Sequence, residues 1–151
     1  MNAHEEEADI MEVLLVEDSP GDVRLMQEAF RLNQSIHLNV ATDGVEAMAF
    51  LRREGLHART PRPNIILLDL NLPKMDGREV LARIKADNRL RMIPIVILTT
   101  SEEESDVMKS YQLHANCNLT KPVQLDSFES CVRGISDFWL TKVKLPQQGP
   151  S

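Results

Sequence analysis

Side chains capable of phosphate and metal chemistry directly follow four short apolar runs of the chain. They are three carboxylates, one hydroxyl and one ammonium group: Glu17, Asp18, Asp69, Thr99 and Lys121. Three carboxylates in one crevice repel one another and are costly without a cation. Mg²⁺ is a hard ion that takes oxygen ligands and keeps several waters. If these residues meet in the fold, they predict a divalent-metal site beside a group that can accept phosphate.

Asp69 is the predicted nucleophile, because an aspartate can form an acyl phosphate and because its run is the third of five. Lys121 would pair with that carboxylate and then with a phosphate oxygen, while the Thr99 hydroxyl would donate to another. Read singly, an Asp after an apolar run is often a turn or helix cap, so the prediction depends on the whole set. The predicted metal ligands are Glu17, Asp18, Asp69 and the main-chain carbonyl of Asn71.

Apolar runs alternate with helical patterns, and these elements must position the candidate residues. The runs are 13–16, 36–41, 65–68, 95–98 and 117–119; helices are predicted from Pro20, over 44–53, after Asp76-Gly77, over 105–113, and from Asp126 past Trp139. Nearly continuous Val, Ile and Leu suits strands that are covered on both faces. Five β-α units predict an α/β fold with a doubly wound parallel sheet. Its site would lie beyond the carboxyl ends of the strands, where strand order reverses.

The first three helices each carry apolar residues at helical spacing, which predicts the faces they bury. These are Val23, Met26, Ala29 and Phe30 in the first helix, Val45, Met48, Ala49 and Leu51 in the second, and Val80, Leu81 and Ile84 in the third. Ser19 is the predicted cap of the first helix, and Pro20 fits its first position.

The length of 151 residues corresponds to about one ordinary domain. We predict a flexible tail over 1–10, the domain over 11–134, and an extension of the last helix with a tail over 135–151. Large apolar residues recur beyond the point where the core is complete: Ile135, Phe138, Trp139, Val143 and Leu145. They predict a homodimer interface, and the alternative is that they only cover the sheet.

The net charge of −6 and the scattered basic residues argue against nucleic-acid binding. No apolar run reaches the length of a membrane span, and the acidic N-terminus lacks the apolar core of a signal peptide, so we expect a cytoplasmic protein. Cys117 and Cys131 lack CxxC spacing, and the histidines are dispersed, so we predict neither a zinc site nor a disulfide. Cys117 and Met48 are read as core residues, and His114 as a surface or packing residue.

The segments VEDSP, LLDLNLPKMDG, IPIVILTTS and LTKP together resemble the four signatures of the response-regulator receiver family, over residues 12–132. The resemblance implies a flavodoxin-like fold with a five-stranded sheet in the order 2-1-3-4-5 and five helices. It implies that a sensor histidine kinase supplies phosphate to Asp69, with Mg²⁺ as cofactor. Glu17 and Asp18 match the acidic pair, Thr99 the switch hydroxyl, and Lys121 the family's lysine, whose bond to the following proline is cis in many relatives.

A narrower resemblance links VEDSPGDVRL, PRPNIILLDLNLPKMDGREVL and GISDFWLTKVKLP to the small regulators that are paired with cyanobacterial and bacterial phytochromes. It implies a phytochrome kinase as partner and a homodimer built on the fourth helix, fifth strand, fifth helix and C-terminal segment. About twenty residues follow the receiver core, too few for a helix-turn-helix module, so we expect signalling through protein–protein contacts. The chain would be a phosphoacceptor module rather than an enzyme, with at most self-catalysed phosphotransfer and slow autodephosphorylation.

Three alternatives were weighed against this reading. A haloacid-dehalogenase-like phosphatase needs a second Asp two residues after the nucleophile, where this chain has Asn71. A dinucleotide-binding protein would have GxGxxG after the first strand, where this chain has EDSPGD. A receiver used only for constitutive docking stays open, because Asn118 replaces the aromatic residue that many receivers carry three positions before the lysine. Glu17, in place of Asp, is a common variation of the acidic pair.

Overall fold

The computed structural model describes residues 10–31, 33–72, 74–99 and 117–142, with side chains of the last helix described as far as Ile135. The predicted N-terminal tail (apart from residue 10), the predicted helix over 105–113 with His114, and the chain after 142 lie outside the described residues. The predicted domain limits of 11–134 therefore stay a prediction.

Five parallel strands form one sheet. They are β1 (Met11–Val16), β2 (Ile36–Ala41), β3 (Ile65–Asp69), β4 (Ile95–Thr99) and β5 (Cys117–Thr120). Their order is β2-β1-β3-β4-β5, and every neighbouring pair is parallel. Chain order therefore reverses at β1, with β2 on one side and β3 on the other. The predicted flavodoxin-like topology and the strand order are confirmed.

Helices follow the first three strands and the fifth. They are α1 (Pro20–Phe30), α2 (Gly44–Arg52), α3 (Gly77–Ala86) and the last helix (Leu125–Lys142), with a short 3₁₀ turn at Gly55–His57. The Ser19 hydroxyl accepts a hydrogen bond from the Asp22 N–H at 3.3 Å, and Pro20 occupies the first turn. The predicted cap and the predicted starts of these helices are confirmed.

Alternate residues of each strand face opposite sides of the sheet and build two cores. One core packs Leu14, Ile66 and Ile97 against α2 and α3. The other packs Val13, Leu67 and Leu98 against α1 and the last helix. Phe30 and Phe128 meet in this second core with ring centroids 4.7 Å apart, a contact that adds about 0.5–1.5 kcal/mol beyond burial alone. All five residues of β3 and of β4 are buried, as strands covered on both faces must be.

The predicted apolar face of α2 is wrong in part. Val45 is exposed, whereas Ala47 and Phe50 are buried beside Met48 and Leu51. Phe50 belongs to the same core as Ala47 and Leu51, and its ring also packs on His57 of the 3₁₀ turn, at a centroid distance of 5.6 Å. The pattern alone could not reveal that neighbour, which follows the helix in an irregular segment.

The prediction of two unpaired cysteines is also wrong. The sulfur atoms of Cys117 in β5 and Cys131 in the last helix are joined as a disulfide, with Cα atoms 6.5 Å apart. The pairing depends on how the last helix packs back on β5, which no local spacing encodes. Cys131 is buried and Cys117 packs against the same core, so their placement in the interior agrees with the sequence.

None of the helices in the described part of the chain combines the length and the apolar character that crossing a bilayer requires. The Lys121–Pro122 peptide bond is cis, in agreement with the receiver resemblance.

Candidate functional site

The site is assembled at the carboxyl ends of the neighbouring strands β1 and β3. Val16 pairs with Leu68, so Glu17 is level with Asp69 across the strand boundary. Both carboxylates are buried, with 1% and 3% of their residue surface exposed. The point where strand order reverses therefore carries two charged groups that water does not solvate well.

Lys121 neutralises these carboxylates from the far side of β4. Lys121 directly follows β5, which lies two strand spacings from β3, about 10 Å away. The lysine and aspartate side chains span this gap together. The ammonium nitrogen lies 2.7 Å from Glu17 Oε1 and 3.0 Å from Asp69 Oδ2. The main chain of Lys121 is fixed beside β4, because its N–H donates to the Thr99 carbonyl at 2.7 Å. Sequence-distant residues thus form one buried charge network.

The charge network moves the pKa values of both partners. Burial is the largest cause of the rise in the Glu17 pKa to about 7, with Lys121 opposing the rise and Asp69 adding to it. Burial by itself would lower the pKa of Lys121, but its contacts with Glu17 and Asp69 outweigh that effect and raise it. Lys121 therefore stays protonated, whereas burial beside Asp69 makes Glu17 easier to protonate than an ordinary glutamate.

Asp18 completes a set of three carboxylates with the spacing of a metal site. One oxygen from each of Glu17, Asp18 and Asp69 lies within 4.8 Å of the others. Asp18 is exposed while the other two are buried, so the cluster opens to solvent on one side. Such a set of hard oxygen ligands fits Mg²⁺ or a similar ion, with room for the waters that Mg²⁺ retains.

The main chain after β3 curls around the Asp69 side chain. The Asn71 N–H donates to Asp69 Oδ1 at 3.0 Å, which places Asn71 beside the cluster. The chain then returns, and the Gly77 N–H donates to the Leu70 carbonyl at 3.1 Å. A Cβ atom at Gly77 would collide with the Asp69 carbonyl oxygen and Leu70 Cα. Glycine at this position lets the start of α3 lie directly against the end of β3.

Thr99 ends β4 between the strands that carry Asp69 and Lys121. It is completely buried, and within the part of the chain that the structure describes its hydroxyl finds no hydrogen-bond partner. A buried hydroxyl without a partner is costly, which favours a role that becomes satisfied when a ligand arrives. A phosphate oxygen at this edge of the sheet would accept from it.

Sequence reasoning missed Asp22, a third carboxylate that contacts Lys121. Asp22 Oδ2 lies 3.2 Å from the ammonium nitrogen, and the side chain keeps 39% of its surface exposed. An acidic residue in the first turn of a helix is usually explained by its favourable interaction with the helix dipole, which gives no hint of a contact with a distant lysine. Its position four residues after Asp18 was the available signal, because the first turn of α1 begins at this same edge.

Comparison with known proteins identifies the family of this chain. The sequence profile described as "Response regulator receiver domain" matches residues 13–133. The chain belongs to the response regulator receiver family. Receivers of this family are signalling modules, and the fold described above is theirs.

The narrower resemblance to phytochrome regulators is confirmed as well. The chain is 54% identical to response regulator Rcp1 of Synechocystis sp. over 135 residues, which cover 89% of this chain and 92% of that protein. The phosphorylated cyanobacterial phytochrome response regulator RcpA superposes with a TM-score of 0.70 at 49% identity, covering 91% of this chain and 99% of that one. The Mn²⁺-bound form of Rcp1 gives a TM-score of 0.68 at 52% identity, covering 90% and 99%.

Proposed function

We propose that this receiver accepts a phosphoryl group on Asp69 from a sensor histidine kinase of the phytochrome type. The observation that carries the proposal is the buried Asp69 carboxylate, held at 3.0 Å by Lys121 and flanked by Glu17 and Asp18. Names of the relatives support it, since one solved relative is described as phosphorylated and as a phytochrome response regulator. The chain acts as a phosphoacceptor module and not as an enzyme with a separate substrate.

The transfer is an in-line displacement at phosphorus. An Asp69 carboxylate oxygen forms the new O–P bond while the N–P bond of the kinase phosphohistidine breaks, and its electron pair returns to the imidazole nitrogen. Lys121 offsets the negative charge on the equatorial oxygens, because it already lies against the accepting carboxylate. The Thr99 hydroxyl, which has no hydrogen-bond partner among the described residues, donates to a second phosphoryl oxygen.

Glu17, Asp18, Asp69 and the Asn71 carbonyl would hold the metal cofactor, which we take to be Mg²⁺. When bound, the ion supplies positive charge that offsets the three carboxylates and the phosphoryl oxygens. The Asn71 N–H would help to hold the Asp69 side chain in place through its hydrogen bond to Oδ1. A solved relative is named as a Mn²⁺-bound form, which supports the binding of a divalent ion by this chain.

Signalling then proceeds through protein contacts in the cytoplasm, and we propose a homodimer as the signalling form. The interface would use the predicted fourth helix, β5, the last helix and the C-terminal segment. β5 is an edge strand of the sheet, and its four residues are half-buried or exposed, whereas the neighbouring β4 is fully buried. The acidic net charge argues against nucleic acid as a partner.

Metal-dependent phosphorylation tests the proposed function. The pure chain is incubated with acetyl phosphate, with and without Mg²⁺, and its intact mass is measured. We expect one added phosphoryl group only with Mg²⁺, and loss of both Mg²⁺ binding and phosphorylation in Asp18→Ala. Glu28→Ala is the matched control, because Glu28 is an exposed carboxylate near the end of α1 that forms an ion pair with the exposed Arg31. Undiminished phosphorylation of Asp18→Ala would place the metal elsewhere.

A further inference from the structure

The Lys121 ammonium is surrounded by as many carboxylate oxygens as it has N–H donors. An ammonium group has three N–H donors and no acceptor. Three carboxylate oxygens surround it, at 2.7 Å from Glu17, 3.0 Å from Asp69 and 3.2 Å from Asp22. A fourth acceptor must therefore compete with these three oxygens for the ammonium.

A phosphoryl group on Asp69 brings such an acceptor to the ammonium. The carboxylate most easily released is the one that water can solvate, because an unpaired buried charge costs far more than an exposed one. The Glu17 and Asp69 side chains are 2% and 4% exposed, whereas that of Asp22 is 39% exposed. Asp22 also forms the longest of the three contacts.

The fold gives Asp22 a fixed place beside the reacting groups. It lies in the first turn of α1, and its N–H donates to the capping Ser19 hydroxyl. Its side chain lines the same small cleft as Glu17, Lys121 and Pro122. Movement of the side chain away from Lys121 therefore needs only a rotamer change toward solvent, with α1 left in place.

We propose that Asp22 is a positioning residue that occupies the Lys121 donor which the phosphoryl group takes over. It holds the ammonium in the resting receiver, and its displacement opposes phosphorylation. This inference depends on the proposed phosphorylation of Asp69. Asp22 thereby sets how readily this receiver accepts and keeps its phosphoryl group, without itself touching phosphorus.

Beryllofluoride, a non-covalent mimic of a phosphoryl group on aspartate, tests the proposal in the presence of Mg²⁺. Its dissociation constant is measured by titration calorimetry for the full chain and for Asp22→Ala, Asp22→Glu and Glu28→Ala. We expect Asp22→Ala to bind about three- to fivefold more tightly, the change that a partly exposed ion pair of ordinary strength gives. Asp22→Glu should return toward wild-type affinity, and Glu28→Ala should match wild type.

A double-mutant cycle with Lys121→Ala separates competition for the ammonium from a general effect of charge. If Asp22 acts through Lys121, removing Asp22 has no effect on beryllofluoride affinity in the Lys121→Ala background. An equal gain in both backgrounds, or no gain in either, overturns the inference. Asp69→Asn distinguishes this from failure of the proposed function: if wild type binds no more beryllofluoride than Asp69→Asn does, both the function and the inference are wrong.

Discussion

The buried Asp69 carboxylate is stabilised at its strand end by a positive charge and a hydrogen bond, against repulsion from the adjacent acidic pair. Lys121 contributes a full positive charge, the Asn71 N–H contributes a hydrogen bond, and the neighbouring acidic pair offers the ligands for a cation. Only Thr99 is left with an unsatisfied hydroxyl in the described part of the site. The same charge, hydrogen-bond donors and metal ligands would also stabilise the several negative oxygens of the proposed phosphoryl group.

Gly77 is the residue whose replacement most directly tests the packing around Asp69. A Cβ atom there would strike the backbone of Asp69 and Leu70. We expect Gly77→Ala to lower the free energy of unfolding by about 1–3 kcal/mol, as overpacking usually does. Because the collision displaces the Asp69 backbone, phosphorylation by acetyl phosphate should also slow. Urea unfolding followed by circular dichroism measures the first effect.

Gly134→Ala is the matched control for that substitution. Gly134 lies in the last helix, and a Cβ atom there meets no atom within 4 Å. Alanine in an open helical position is expected to raise stability by about 0.5–1 kcal/mol. If the two variants changed stability alike, close packing of Gly77 on the Asp69 backbone would be contradicted.

At the level of elements, the sheet and its order could be predicted because parallel strands leave a strong signal. β3 and β4 read as continuous Val, Ile and Leu, and both are fully buried. The cap and first residue of α1 could be predicted in the same way, because Ser19 satisfies a free N–H group at the helix start. The approximate start of α3 was also predicted, but its cap by Asp76 was not.

What the sequence did not reveal depends on contacts between elements. The disulfide between β5 and the last helix and the contact of Asp22 with Lys121 each join residues that no periodicity relates. The exposure of Val45 was also not revealed by the apolar pattern of α2. The candidate site itself was predicted from residue types at strand ends, and the structure brings Glu17, Asp69 and Lys121 together. The chemical roles of these residues stay predictions until they are tested.

The start of α2 gives an element whose stability should depend on pH. The Asp43 side chain accepts from the Glu46 N–H at 2.7 Å, and Lys74 lies 3.3 Å away. The hydrogen bond from Glu46 is the largest cause that holds the pKa of Asp43 below its usual value, and Lys74 adds to it. The folded state therefore binds this proton less readily than the unfolded state. The ionised Asp43 cap therefore stabilises the folded state fully above the unfolded-state pKa of about 3.9. This stabilisation is lost as the pH falls through the folded-state pKa.

We expect Asp43→Ala to lose about 0.5–2 kcal/mol of unfolding free energy at neutral pH, the usual worth of a helix cap. The difference from wild type should shrink as the pH is lowered below about 4, since the wild-type cap is then protonated. Denaturant unfolding at a series of pH values measures this. Glu54→Ala is the control, because Glu54 makes no capping hydrogen bond through its side chain. A difference that stayed constant down to acidic pH would contradict the assigned role of the Asp43 charge.

At the scale of the whole molecule, the proposed phosphorylation would have to change a surface away from Asp69. β5 connects the Asp69 site with such a surface, because it leads directly to Lys121 and is itself an edge strand. It also carries Asn118 at the position of the usual aromatic switch. Asn118 pairs with Ile97 in the sheet and is half-buried. With a small polar residue there, we expect the loops around Thr99 and the Lys121 contact to carry the response in place of an aromatic swing.

The proposed homodimer is tested with a substitution in the apolar segment at the end of the last helix. We expect Trp139→Lys to dissociate the dimer, because aromatic anchors commonly contribute much of the binding energy of an interface. Sedimentation velocity over micromolar concentrations, with and without phosphorylation, measures the change. Leu56→Lys is the control, since Leu56 is fully exposed in the 3₁₀ turn and belongs to no predicted interface. If wild type is a monomer throughout, the segment only covers the core.

The central claim is that Asp69 alone accepts the phosphoryl group, and intact-mass measurement of Asp69→Asn tests it most directly. Wild type and variant are incubated with acetyl phosphate and Mg²⁺, and circular dichroism verifies that both are folded. We predict one added phosphoryl group on wild type, removable by hydroxylamine as an acyl phosphate should be, and none on Asp69→Asn. A phosphoryl group that still appears on folded Asp69→Asn would contradict the account.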